Sequence, residues 1–200
     1  MSLKTLEKSI FTSFILMFIL NCFGFVSKCE SINNKILRLH ILANSNSRDD
    51  QLLKLRIRDS ILNFLRDMLK STKNKEETEQ ILRQNIGQLK LIAEGEVKSS
   101  GHSYPINIDL KKSYFPTKQY GETTLPAGNY DALRILIGDA NGKNWWCVMF
   151  PALCLGAAAT GTKIEDVLDT QENAIVKNVS KYQLKFKLVE CFYEVKNWLK

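Results

Sequence analysis

The chain has 200 residues, of which 44% are hydrophobic and 24% charged, and its formal charge is +7. This composition is ordinary for a globular protein, and the chain contains neither a repeat nor a low-complexity tract. The moderate positive charge suits a protein that works near anionic membrane surfaces. Nucleic-acid binding is the rival interpretation, but no Lys/Arg-rich block, zinc-finger spacing or aromatic RNA-binding pattern is present. We therefore expect no nucleic-acid partner.

The N-terminus carries an export signal or an anchor. Residues 10–26 form a nearly continuous apolar run without charge, preceded by Lys4 and Lys8 and followed by Lys28. A basic start and an apolar middle predict that residues 1–29 are a signal peptide or an N-terminal membrane anchor, through which the chain contacts a membrane surface. The run is short for a bilayer span and no Ala-x-Ala site follows it, so cleavage and retention both stay open.

The exported domain, residues 30–155, opens with a strand and a helix. Residues 35–43 alternate, with Leu37 and Leu39 on one side and Arg38 and His40 on the other. Ser47 then caps a helix that runs to about Lys70. One face of this helix is apolar at four-residue spacing; it consists of Leu53, Ile57, Ile61, Leu65 and Leu69.

A second helix and two strands follow. The helix is predicted over residues 75–94, where Gly95 ends it. Residues 104–110 and 130–138 alternate between apolar and polar side chains, and we expect these two strands to pair in antiparallel fashion.

The segment from Gly142 to Cys154 contains two adjacent tryptophans. We predict a helix over residues 145–150 that Asn144 caps and Pro151 ends. Neighbouring helical residues point about 100° apart, so one tryptophan packs in the core and the other faces outward. The predicted partner-binding residues are Lys143, Asn144, Trp145 and Trp146.

Two interpretations of Cys147 are open. In the first turn of a helix its thiol could be activated as a nucleophile. No motif pairs it with His40 or His102, however, and a buried structural thiol is the plainer interpretation. Cys147 and Cys154 form a disulfide only if the chain turns at Pro151. No metal-ligand spacing exists, and no metal or cofactor is expected.

The C-terminal part is predicted as a linker followed by a helix. Residues 156–180 are small or polar and weakly periodic. Residues 181–200 form an amphipathic helix, although its first turns alternate enough to be a strand instead. The predicted apolar face of this helix consists of Leu184, Leu188, Cys191, Phe192, Val195 and Leu199. The predicted order is β-α-α-β-β-α, and the class is α+β, as a two-layer α/β sandwich.

Several long motifs, in this order, resemble the stage II sporulation protein R family of endospore-forming bacteria. They are Leu37–Ser47 (LRLHILANSNS), Asp50–Asp59 (DQLLKLRIRD), Tyr114–Gly121 (YFPTKQYG), Leu125–Tyr130 (LPAGNY) and the Gly142–Cys154 segment. The resemblance covers about residues 35–155, with a weaker match at residues 182–190.

The resemblance implies a signalling protein without transferable catalytic residues. Such a protein is exported from the forespore into the space between the forespore and mother-cell membranes. There it activates a membrane-embedded protease of aspartic type, which cuts the precursor of sigma factor E. The alternative hypothesis from the residues is an exported thiol-dependent hydrolase that uses Cys147.

Overall fold

The computed structural model describes residues 3–151, 153 and 162–199. The helices are α1 Leu3–Lys35, α2 Arg48–Leu69, α3 Lys75–Ser99, α4 Ile164–Val167, α5 Thr170–Lys177 and α6 Val179–Trp198. The strands are β1 Leu37–Leu42, β2 Ile106–Phe115, β3 Lys118–Tyr120, β4 Thr123–Leu125, β5 Gly128–Ile137 and β6 Asn144–Phe150. The chain is thus of the α+β class, as predicted.

The described chain divides into two compact units. The first contains residues 1–33, 114–129 and 170–200, and the second contains residues 34–113 and 130–169. Of the domain predicted over residues 30–155, residues 30–33 and 114–129 group with the first unit, and the rest of its described residues group with the second.

A four-stranded sheet in the order β2-β5-β1-β6 forms the centre of the second unit. β1 is parallel to β5 and antiparallel to β6. Leu37, Leu39 and Ile41 of β1 share one apolar cluster with side chains of α2 and α3. The predicted two-layer arrangement of helices on a sheet is present in this unit.

The sequence pattern of α2 explains its position. The Ser47 side chain accepts a hydrogen bond from the backbone N–H of Asp50, which caps the helix as predicted. The predicted apolar face is buried throughout. α3 runs to Ser99 instead of ending at Gly95, because Ala93 and Val97 continue the buried face that Leu89 belongs to.

β1 is buried on both faces, which the alternating pattern did not indicate. Arg38 is 0% exposed and His40 is 8% exposed. The guanidinium of Arg38 lies over the ring of Tyr130, 4.9 Å from its centroid. Both residues lie on an interior strand of the sheet. The aliphatic stem of Arg38 and the ring of His40 fill space that an apolar side chain would otherwise occupy.

The predicted helix over residues 145–150 is wrong, since these residues form strand β6. The run is short and rich in aromatic side chains, and it also contains the β-branched Val148; such residues favour strands. Pairing with β1 provides backbone partners along one side of the strand, with Trp145 opposite Ile41 and Trp146 opposite His40. The strand ends at Phe150, where a cis peptide bond leads to Pro151.

The first unit contains α1, the β3–β4 hairpin, α5 and α6. Ser31 of α1 donates a 2.6 Å hydrogen bond to the carboxylate of Glu172 on α5. The ring of Phe25 stacks on Tyr182 of α6 at 5.7 Å. Among the helices in the described part of the chain, none has an apolar stretch long enough to cross a bilayer.

The C-terminal predictions are partly corrected. The linker was predicted over residues 156–180, and its first part, residues 156–161, lies outside the described residues. The rest contains α4 and α5, in which Ile164 and Val176 are buried. Residues 181–198 are helical from their first turn, so the strand alternative is wrong. The predicted apolar face of α6 is exposed, whereas Phe186, Val189 and Tyr193 are buried.

Candidate partner-binding site

The loop that precedes β6 is attached to the turn that follows β1. The backbone N–H groups of Asp139 and Asn141 donate to the side-chain and main-chain oxygens of Asn44, at 3.0 and 3.1 Å. The backbone N–H of Lys143 donates to Oδ1 of Asn46 at 2.8 Å. Two asparagines of the turn therefore determine the course of the loop.

Asp50 holds the turn itself. It is 3% exposed, and its Oδ2 accepts hydrogen bonds from Asn44 Nδ2 at 3.0 Å and Ser45 Oγ at 2.5 Å. Burial alone would raise the pKa of Asp50, but the hydrogen bonds from Ser45, Asn44, Tyr104 and Ser47 together bring the pKa below its ordinary value. The carboxylate is thus the charged centre of the turn.

Two glycines permit the close approach of loop and turn. A Cβ atom on Gly142 would lie 2.2 Å from the carbonyl oxygen of Ser45, and one on Gly138 would lie 2.2 Å from Asn44 Oδ1. Gly138 also has a φ of +57°. A side chain at either position would push the loop away from the turn.

Lys54 of α2 binds the backbone of the loop through its ammonium group. Its ammonium donates to the main-chain carbonyl of Lys143 at 2.8 Å and to Gln51 Oε1 at 2.7 Å. Lys54 is 4% exposed. Burial, followed by the nearby charges of Arg58 and Lys143, lowers the pKa of Lys54. The carbonyl is an obligatory partner for this buried cation.

The two tryptophans lie on opposite faces of the sheet, because side chains alternate along a strand. Trp145 packs against the helix-covered core, and the guanidinium of Arg58 lies 5.1 Å from its ring centroid. Trp146 lies beside the ring of His40, at 6.0 Å between centroids. Both tryptophans are half-buried, so the prediction of one core and one outward side chain is only partly correct.

Asn144 is not a helix cap. Its Oδ1 forms a 2.6 Å hydrogen bond with Nε2 of His40 across the β1–β6 pair. Burial lowers the pKa of His40, the hydrogen bond to Asn144 opposes this effect, and the charges of Arg134 and Arg38 reinforce it. His40 is therefore a neutral structural partner of the loop.

The geometry does not support Cys147 as a nucleophile. Cys147 is disulfide-bonded, and its bonding partner lies beyond the side chains that the structure describes. Opposite Leu39 in the strand pair, it faces away from the side of His40. His102 stacks on Tyr104 at 4.8 Å. Cys154 lies outside the described residues, so the Cys147–Cys154 bond stays a prediction.

The described residues contain no cluster of three His, Cys, Asp or Glu side chains that could hold a metal ion. Of the predicted binding residues, Lys143 and Asn144 are exposed at the start of β6, directly before the two half-buried tryptophans. The four residues are consecutive in the chain, but Trp145 and Trp146 point to opposite faces of the sheet.

Sequence reasoning missed the residues that support this segment: Asp50, Lys54 and Arg58. Asp50 follows the helix cap Ser47 by three residues, a spacing that indicates a capping arrangement and could have marked its role. The buried position of Lys54 had no sequence signal, because lysine on a helix usually faces water.

These features describe an α+β protein with a hydrogen-bonded loop and strand exposed at one end of a sheet. A family model for stage II sporulation protein R matches residues 33–160. The chain therefore belongs to the stage II sporulation protein R family. The match contains the whole candidate site, from Leu37 to Phe150.

A curated relative supports the same assignment. The chain is 37% identical over 140 residues to stage II sporulation protein R of Bacillus subtilis (strain 168). The alignment covers 70% of this chain and 62% of the relative, so the chain spans less than two thirds of that protein. No solved structure shows significant similarity to the chain.

Proposed function

We propose that this sporulation protein is an exported signal. It leaves the forespore, acts in the space between the forespore and mother-cell membranes, and activates a membrane-embedded aspartic-type protease that cuts the precursor of sigma factor E. Membership of the stage II sporulation protein R family supports this proposal. The basic, then apolar N-terminus supports export, with that segment at the membrane surface.

The observation that carries the proposal is the ordered loop at the start of β6. Lys143 and Asn144 are exposed, while the backbone of Lys143 is held by Asn46 and Lys54 and the Asn144 side chain is held by His40. A surface that is already ordered loses little conformational entropy when a partner binds. The half-buried tryptophans next to it are of the residue type most often found at the centres of interfaces.

Co-production of the full chain with the protease and a tagged precursor tests the proposal. The fraction of cleaved precursor should fall at least about tenfold with Lys143→Glu, because a reversed charge at an interface opposes association. Lys90→Glu on α3 is the control, since Lys90 is also an exposed lysine but lies outside the site. Equal cleavage by both variants would argue against this binding surface.

Cysteine variants separate the signal from the alternative hydrolase. Cys147→Ser and Cys154→Ser each remove one predicted disulfide partner, but only Cys147→Ser removes the candidate nucleophile. A signalling protein gives the same cleavage with both variants. A hydrolase is inactive with Cys147→Ser and active with Cys154→Ser.

A further inference from the structure

Helix α6 is apolar on two opposite faces. One face contacts the rest of its unit through the buried side chains of Phe186, Val189 and Tyr193. The other face is exposed to solvent at 37–74% and consists of Leu184, Leu188, Phe192 and Val195. A contiguous exposed apolar helix face usually contacts a further partner, so the outer face calls for an additional contact.

Helix α1 extends this outer face. Phe23 and Val26 of α1 line a groove together with Leu188, Phe192 and Val195 of α6, within the same unit. Phe23 is 72% exposed. Four other exposed apolar side chains lie earlier in α1: Ile10, Phe11, Leu16 and Met17. We call the exposed apolar side chains of the two helices the α1–α6 surface; apolar surfaces of this kind mark contacts with proteins or membranes.

The charged side chains beside the α1–α6 surface distinguish between a protein and a membrane as its partner. Lys185 and Lys196 line the same groove, with their ammonium groups 5.4 Å from the ring centroid of Phe25 and 5.6 Å from that of Phe192. Lysines beside an apolar surface extend their charged ends to its rim. α6 has four lysines and two glutamates. The rim therefore suits anionic groups.

Two acidic groups near the surface, Glu30 and Glu190, are engaged in contacts within the unit. Glu30 lines the groove and accepts a 3.2 Å hydrogen bond from the hydroxyl of Tyr193. Glu190 accepts hydrogen bonds from Lys187 at 2.8 Å and from the backbone of Thr117 at 3.3 Å. These contacts direct both carboxylates toward protein donors and away from a partner.

Trp198 ends the helix and is 84% exposed. Tryptophan and lysine next to exposed leucine, phenylalanine and valine are the side chains that helices place at the boundary between lipid and water. We propose that the α1–α6 surface lies on an anionic lipid bilayer, with Lys185 and Lys196 at the headgroups. This contact goes beyond protease activation and needs no protease.

Sedimentation of the full chain with vesicles tests the proposal. Vesicles of phosphatidylcholine with phosphatidylglycerol are compared with phosphatidylcholine alone. Val195→Asp should lower the partition coefficient on anionic vesicles at least about tenfold, because a carboxylate enters the apolar face. Leu91→Asp on α3 is the matched control, since Leu91 is 62% exposed in the other unit. It should leave the partition unchanged.

A charge variant keeps the test independent of folding. Lys185→Gln together with Lys196→Gln retains every apolar side chain, and each change should weaken binding to anionic vesicles about fivefold. Binding to neutral vesicles should not change. Equal partition of the native chain on both vesicle types would overturn the proposal. A loss with Leu91→Asp as large as that with Val195→Asp would also overturn it, as would self-association in place of vesicle binding.

Discussion

The ammonium of Lys54, on α2, donates a 2.8 Å hydrogen bond to the main-chain carbonyl of Lys143, at the entrance to β6. One buried side chain thus connects a helix to the loop that carries the candidate binding residues.

Replacement of Lys54 with methionine should destabilise the protein. The variant leaves the carbonyl of Lys143 without its charged donor, at a cost of about 1–3 kcal/mol. Urea denaturation measures the change in the free energy of unfolding. Lys70→Met is the control, because Lys70 is half-exposed and its contact with Asp67 is a surface pair. Equal effects would show that the Lys54–Lys143 contact is unimportant.

Asp50 should make stability fall in acid. Its pKa is lowered in the folded protein, so its contribution is complete above the unfolded pKa of about 3.9 and is lost as the pH falls through the folded pKa. Asp50→Asn should remove this part of the pH dependence and cost about 1–3 kcal/mol near neutral pH. Denaturation from about pH 6 down to about pH 2 measures it, because the loss occurs below the unfolded pKa. Asp49→Asn, in the same helical turn but exposed, serves as the control.

His40 should stay neutral at pH values where a free histidine is charged. Its folded pKa lies below 6.5, so its contribution to stability is complete above the unfolded pKa and is lost as the pH falls through the folded pKa. The chain has 2 histidines, so His102→Gln isolates the signal of His40 in an NMR titration. A pKa above 6.5 would contradict the buried position described for this ring.

Two glycines should respond to alanine in opposite directions. Gly142→Ala places a Cβ atom 2.2 Å from the Ser45 carbonyl, and displacement of the loop should cost at least about 2 kcal/mol. A Cβ atom on Gly87, within α3, meets no atom within 4 Å. Gly87→Ala should therefore stabilise the helix by about 0.5–1 kcal/mol. Thermal unfolding compares both variants, and a stabilising Gly142→Ala would refute the close approach.

The disulfide of Cys147 should join it to Cys154. Peptide mapping without reduction, followed by mass spectrometry, identifies the linked peptides. A link from Cys147 to any other cysteine would refute the pairing. Reduction should destabilise the native protein by about 2–5 kcal/mol and have a much smaller effect on Cys147→Ser.

Elements with one buried face were predictable from the sequence. The four-residue spacing from Leu53 to Leu69 and the cap at Ser47 predicted α2 and its buried side because local pattern and tertiary packing agree there. The motifs at the turn and at β6 likewise placed the candidate binding residues on one segment.

Elements whose backbone is determined by distant partners were not predictable. The run from Trp145 to Phe150 is too short for its period to distinguish helix from strand, and only β1 decides between them. The burial of Lys54 and Arg38 depends on a carbonyl and a ring far away in sequence. The wrong face of α6 was chosen because both faces are apolar, so periodicity alone could not identify the buried one.

Helix α1 continues without a break past residue 29, and its buried side chains Phe25, Cys29 and Ile32 belong to the same unit as α6. A protease cut after residue 29 would take Phe25 away from Tyr182 and Phe186, which it contacts at 5.7 and 5.8 Å between ring centroids. Loss of residues 1–29 would therefore remove an aromatic side chain against which the last helix packs within this unit.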